Sequence, residues 1–161
     1  MLITPINLIA QNADEYFEKG YEYYDNDEYT KAIDSYSQAI IRDKSHPEYY
    51  FHRGVCYSMI SENENAISDL TKAIEIDSTY AEAYFERAFS LYRIMQVNEA
   101  IANYDVAIKL DPEYAPAYMN RGTIKFDLDD MDGACYDWEK AFNLGIELAD
   151  ELVREYCKSK S

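Results

Sequence analysis

The feature that most constrains this chain is a stretch it repeats. Residues 81–114, AEAYFERAFSLYRIMQVNEAIANYDVAIKLDPEY, read as two short helices. Tyr84, Ala88 and Leu91 fall at i, i+4 and i+7, on one face of the first helix. Ala100, Tyr104, Ala107 and Ile108 do the same on the second. Small residues, Ala88 and Ala100, stand where the two helices would cross most closely. Asp111 and Pro112 end the second helix, because Pro disfavours a helical residue before it and has no N–H to donate. The turn around Met95 to Val97 holds neither Gly nor Pro, so packing rather than turn chemistry is expected to set its register.

A shift of 34 residues finds the same pattern again. Tyr84 recurs as Tyr16, Tyr50 and Tyr118; Ala88 becomes Gly20, Gly54 and Gly122. Ala100 becomes Ala32, Ala66 and Ala134, and Ala107 becomes Ala39, Ala73 and Ala141. Tyr104 becomes Tyr36, Leu70 and Trp138, and Ile108 becomes Ile40, Ile74 and Phe142. From Ala13 to the C-terminus the chain resembles the tetratricopeptide repeat family, whose period is 34. The resemblance implies an all-α fold, a right-handed α–α superhelix (solenoid) of helix-turn-helix units with a concave groove. Its units are expected at 13–46, 47–80, 81–114 and 115–148. A C-terminal capping helix follows at 149–158 and a tail at 159–161. In the cap, Ala149, Leu152 and Tyr156 continue the period, while Asp150, Glu151, Arg154, Glu155 and Lys158 would face water.

Residues 1–12 lie outside the repeats. They are too short to span a bilayer and lack the cationic start of a signal peptide, although Leu8 to Gln11 resembles the end of a cleaved leader. A terminal tail, a leader remnant and a segment packed on protein all fit. Leu2, Ile3, Ile6, Leu8 and Ile9 favour packing, against the first repeat or on another copy. Pro5 favours an extended or broken course.

The formal net charge of -16 excludes more than it specifies. Phosphate recognition needs clustered Lys and Arg, so nucleic acid and anionic membrane surfaces are not expected partners. A neutral or basic protein is favoured. The three cysteines, Cys56, Cys135 and Cys157, have no metal-ligand spacing. They are read as small buried apolar residues rather than a disulfide framework, as in a reducing compartment. The expected location is cytoplasmic, or outside the cell if residues 1–10 are a leader remnant.

No catalytic, cofactor or metal set is apparent, and the chain is read as a non-enzyme. The histidines, His46 and His52, have no nucleophile partner at a strained elbow. The run from Phe126 to Gly133 is acidic like a calcium loop, but Leu128 stands where a ligand is required. It is read as a polar turn between helices.

In the tetratricopeptide family the first helix of each repeat lines the groove. Carried onto this chain, that surface comprises Phe17, Phe51, Phe85 and Met119 in one ridge. Tyr21, Val55, Phe89 and Thr123 form the next, and Tyr24, Ser58, Tyr92 and Phe126 a third. Asp14, Glu18, Glu48, Glu82, Glu86 and Asp127 are interleaved, with His52, Asn120 and Arg93. Some of these aromatics must pack between repeats; three ridges exceed what packing needs, leaving several for contact. Family members that grip chaperone tails hold a C-terminal carboxylate with Lys and Asn. Here the matching places hold Phe17, Tyr21, His52, Glu82 and Glu86, or one repeat later Phe51, Val55, Glu86, Pro116 and Asn120. A carboxylate clamp is therefore not expected. The resemblance implies a scaffold for proteins or peptides with apolar anchors and neutral to basic charge. The alternative is a self-assembling module, a homo-oligomer, or an accessory subunit of a larger complex. Finally, Arg53 and Arg121 stand sixteen residues before Asp69 and Asp137, and ion pairs across each hairpin are expected.

Overall fold

The computed structural model describes residues 5–157, with side chains from residue 12 onward. Nine α-helices follow one another among these residues, without a strand. They are α1 (Pro5–Asp25), α2 (Tyr29–Arg42), α3 (Pro47–Met59), α4 (Asn63–Ile76), α5 (Ala81–Arg93), α6 (Val97–Leu110), α7 (Ala115–Asp127), α8 (Met131–Asn143) and α9 (Glu147–Leu152). A π-helical turn, Val153–Cys157, completes the last element. Each helix packs on its neighbours in sequence, most extensively within the pairs α1–α2, α3–α4, α5–α6 and α7–α8. The result is an all-α superhelix of stacked pairs.

The small residues build the pairs. Ala32, Ala66, Ala100 and Ala134, and likewise Ala39, Ala73, Ala107 and Ala141, are fully buried. At Gly122 on α7 an added Cβ would lie 2.8 Å from Trp138 Cδ1 and 3.1 Å from Asp137 Cβ on α8. At Gly20 it would lie 2.5 Å from the Tyr36 ring. The helices approach until a glycine meets a large side chain sixteen residues later, so the small and large positions are one contact.

Beside that crossing runs a row of arginines. Arg53 donates from Nε and Nη2 to the two Asp69 oxygens, at 2.6 and 2.7 Å, and from Nη1 to Ser37 Oγ at 2.9 Å. Arg87 repeats this with Asn103 (2.8 Å) and Thr71 (3.1 Å). Arg121 reaches Asp137 with two bonds of 2.8 and 2.6 Å and also meets Asp105. Each arginine thus joins the second helix of its own pair to the second helix of the pair before. Both expected ion pairs are present. The recurring Tyr50, Tyr84 and Tyr118 lie under these guanidinium groups, at 6.0, 5.4 and 5.6 Å from the ring centres.

Three features depart from the sequence expectations. First, the turns within the pairs do share a chemistry. Asp27, Ser61, Met95 and Asp129, one period apart, all adopt a left-handed conformation with φ between 58° and 66°. The following N–H closes a wide loop in each: Glu28 to Tyr23 O, Glu62 to Tyr57 O, Gln96 to Leu91 O and Asp130 to Lys125 O. This is the hydrogen-bonded helix stop that glycine usually serves. Without glycine at the left-handed position, the sequence hides it. Second, α1 begins at Pro5 as a continuous helix, not in an extended or broken course; Pro is tolerated in a first turn, where its missing N–H has no intrahelical partner. Residues 1–4 and the side chains of 5–11 lie outside the described residues, and so does the expected packing of that segment. The 159–161 tail lies outside them too.

Third, Cys135 on α8 and Cys157 in the π-helical turn form a disulfide, contrary to the reading of three buried thiols. The spacing of 22 residues carries no recognisable signature; the antiparallel return of the last element is what brings the sulfurs together. Only Cys56 is a free, buried thiol among the described residues, and burial pushes it up to about 12. The same return buries Ala149 and Val153 and sets Tyr156 against Phe126 and Trp138, at 4.9 and 6.1 Å between ring centres.

Two outcomes follow from this packing. Gly122→Leu should lower stability by about 1–3 kcal/mol through overpacking against Trp138, although helix propensity alone favours Leu; thermal melting checks the sign. Reduction with dithiothreitol, or Cys157→Ser, should cost about 3 kcal/mol for a loop of this size. Amide exchange should then speed up chiefly in α9 and the π-helical turn.

Candidate functional site

The first helices of the pairs, α1, α3, α5 and α7, lie side by side. Tyr49 on α3 donates to Asp14 on α1 (2.8 Å), Ser90 on α5 to Ser58 on α3 (3.4 Å), and Tyr92 on α5 to Asp127 on α7. The candidate residues lie on these four helices. Tyr21 is 40% exposed. Phe17, Tyr24, Phe51, His52, Val55, Phe85, Glu86, Phe89, Tyr92, Met119, Asn120 and Phe126 are half-buried.

The structure gathers them into three groups. At the first end, His52 sits among rings: Phe17 at 5.4 Å, Tyr21 at 4.9 Å, Phe51 at 5.0 Å and Tyr36 stacked at 5.8 Å. Burial lowers its pKa to about 4, so the imidazole is neutral at physiological pH. Tyr24 extends this group, 6.4 Å from Tyr21 and 5.7 Å from Tyr29. In the middle, Phe85 packs on Tyr104 at 5.6 Å and on Tyr114 at 5.0 Å. Asn120 donates to the Tyr104 hydroxyl at 3.2 Å. Glu86 lies between these two groups, and its charge acts on Tyr24, Tyr104 and Tyr114. Burial raises the Glu86 pKa to about 7. Arg93 on α5 lies over Phe89 and donates back to Ser61, between α3 and α4. At the far end, Phe126 is packed on Trp138 (5.4 Å) and Tyr156.

Several residues depart from the ridge pattern read from sequence. Ser58 is buried and bonded to Ser90, so it leaves the third ridge. Tyr80 and Tyr114, just before α5 and α7, were not in the pattern, yet they wall in Phe51 (4.8 Å) and Phe85 (5.0 Å). Their separation by one repeat is the signal that could have found them. In the acidic run before α8, Asp130 caps the helix by accepting from Gly133 N at 3.0 Å. A hollow away from this face, between α1 and α2, is lined by Tyr16, Lys19, Tyr23, Lys31 and Gln38.

Family models place this architecture. A TPR repeat model matches residues 20–60 and 96–129, and a tetratricopeptide repeat model matches 47–80. The chain belongs to the tetratricopeptide repeat family. No curated protein sequence matches it. A solved structure of MamA is similar with a TM-score of 0.80 and 26% identity, over 86% of this chain and 81% of that one. The first TPR of Spaghetti (RPAP3), bound to the HSP90 peptide SRMEEVD, is similar with a TM-score of 0.73 and 26% identity, over 74% of this chain and 95% of that one. YrrB shares the fold, with a TM-score of 0.77 at 21% identity over 88% of this chain and 74% of that one. No helix among the described residues is long and apolar enough to cross a membrane.

The Glu86 environment has a consequence for stability. Its folded pKa, about 7, stands above the ordinary carboxyl value of 4.5. Between those values the folded state holds the proton more tightly than the unfolded chain, so this contribution is lost as pH rises through about 7. His52 has the opposite sign: its pKa is depressed, and its contribution is lost as pH falls below the ordinary 6.5 towards 4. Glu86→Gln should therefore gain on the wild type as pH is raised from about 4 to about 8, read from melting temperatures of both proteins across that range.

Proposed function

We propose that this tetratricopeptide repeat protein is a non-catalytic scaffold that binds a protein or peptide across α1, α3, α5 and α7. The observation that carries the reading is the row of half-buried aromatics on adjacent first helices, with polar groups set between them. Phe17, Phe51 and Phe85 offer apolar area that a ligand would remove from water, at roughly 25 cal/mol per Å². Large aromatics in partly formed hollows are the side chains that dominate protein contacts. The similarity to a tetratricopeptide domain solved with a bound peptide supports the same use of the fold.

The charge of the ligand differs from that precedent. The peptide SRMEEVD is rich in acids, whereas Glu48, Glu82 and Glu86 stand along the face of this chain, with Glu48 and Glu82 exposed. Like charges meeting across an interface are unfavourable. The preferred ligand is a neutral to basic segment with apolar anchors, and an acidic C-terminal tail is disfavoured.

A peptide array should rank basic peptides with Leu or Phe anchors above acidic C-terminal peptides. Binding should weaken as salt is raised, through screening, and persist in part because the anchors are apolar. Acidic tails outranking basic peptides would refute the charge assignment. Phe85→Ala should reduce binding of every peptide in the set.

A further inference from the structure

One polar row runs through the face at the repeat period: His52 on α3, Glu86 on α5 and Asn120 on α7. Sixteen positions earlier, on the second helix of the preceding pair, stands a residue that two of the three are seen to meet. For Asn120 that residue is Tyr104, whose hydroxyl accepts its hydrogen bond. For His52 it is Tyr36, whose ring stacks on the imidazole. For Glu86 it is Leu70, which is buried and has no polar atom to offer. Of these three, Glu86 alone has an aliphatic residue at that earlier position.

No other described residue makes good the lack. The described residues give Glu86 no hydrogen bond and no ion pair. The arginines of its own helix are engaged elsewhere, Arg87 with Asn103 and Thr71, Arg93 with Ser61. Groups that feel its charge from the surrounding elements are Tyr24 on α1, Tyr104 on α6 and Tyr114 before α7; Glu82 precedes it by one turn on α5. None is a cation. Burial alone accounts for its raised pKa. A half-buried carboxylate with no donor from the protein keeps only part of its hydration, and Tyr24, Tyr104 and Tyr114 feel its charge.

We infer that Glu86 is a specificity-determining residue of the groove and accepts the guanidinium of an arginine side chain from the bound peptide. This rests on the peptide-binding reading above and names its central contact. The protein displays the same chemistry in its own staples: Arg53 and Arg121 each clasp a carboxylate with two bonds while lying over tyrosine rings. A planar fork with weak hydration suits a carboxylate between aromatic walls better than a strongly hydrated ammonium does.

The test uses the full chain and three labelled peptides. Each is extended, with Leu anchors flanking one central residue: Arg, its neutral isostere citrulline, or Lys. Affinities are measured by fluorescence anisotropy for wild type and Glu86→Gln at about pH 6 and about pH 8. The expected result is roughly tenfold or greater weakening on going from Arg to citrulline in the wild type at the higher pH. Lys should fall between the two. Glu86→Gln should lose that preference while still binding the citrulline peptide. Wild-type affinity for the Arg peptide should rise from the lower to the higher pH as Glu86 ionises, and the Gln variant should show no such rise. Equal affinity for Arg and citrulline peptides overturns the Glu86 assignment and leaves the groove reading standing. A Lys peptide that binds more tightly than Arg overturns the choice of guanidinium. Failure of all three to bind the wild type overturns the groove reading, and this assignment with it.

Discussion

The whole molecule depends on one contact made again in each repeat: a minimal residue on the first helix of a pair against a large residue on the second, sixteen positions later. Gly20 with Tyr36, Gly54 with Leu70 and Gly122 with Trp138 are separated so closely that a Cβ would intrude. That approach sets the spacing of the hairpin. The spacing brings the preceding residue, an arginine from the second pair onward, within reach of both neighbouring second helices. Arg53, Arg87 and Arg121 then pin each pair to the one before. Since a solenoid has no central core, stability resides in these nearest-neighbour interfaces. The Arg121 end is the most elaborate: Asp137 is fully buried and also receives Lys125 at 2.8 Å. Removing one partner of such a group leaves a charge uncompensated, which is far costlier than the pair's net contribution.

The same contact shapes the open face. Both helices of each pair supply buried residues, and the first helices also carry the half-buried residues of the open face. What differs between repeats is the large residue of the contact. Where it is Tyr, its ring or hydroxyl meets the polar row, as at His52 and Asn120. Where it is Leu70, the row holds a carboxylate with no internal donor. The irregularity arises from a scaffold position and appears as chemistry on the open face, and functional sites are where local rules are most often broken.

Charge and redox state act on different parts of this architecture. The acids of the first helix are largely solvated, although Asp14 accepts from Tyr49 and so belongs to the scaffold. The disulfide acts only at the C-terminal end, holding the π-helical turn on α8, where Tyr156 covers Trp138 and Phe126. A repeat protein exposes an apolar face at its last pair unless something covers it, and here the covering element is also cross-linked.

Much of this was legible in the sequence because the determinants are local and periodic. Helix pairing, the small residues at the crossing, and the arginine–aspartate pairs all follow from a period of 34 and an offset of sixteen, so composition at fixed spacing suffices. Other features were decided only by the tertiary structure. The left-handed turn at Asp27, Ser61, Met95 and Asp129 carries no glycine, so no residue type announces it. The Cys135–Cys157 bond depends on the path of the final element, which spacing does not encode. Which aromatics remain accessible depends on neighbours from other repeats: Tyr114 walls in Phe85, and Tyr156 covers Phe126. Glu86 shows the division most plainly. Its position on α5 follows from sequence; its lack of a partner depends on the engagement of Arg87 and Arg93 elsewhere. Desolvation and hydrogen bonding are properties of an assembled environment, and the assembled environment alone raises that carboxyl to about 7.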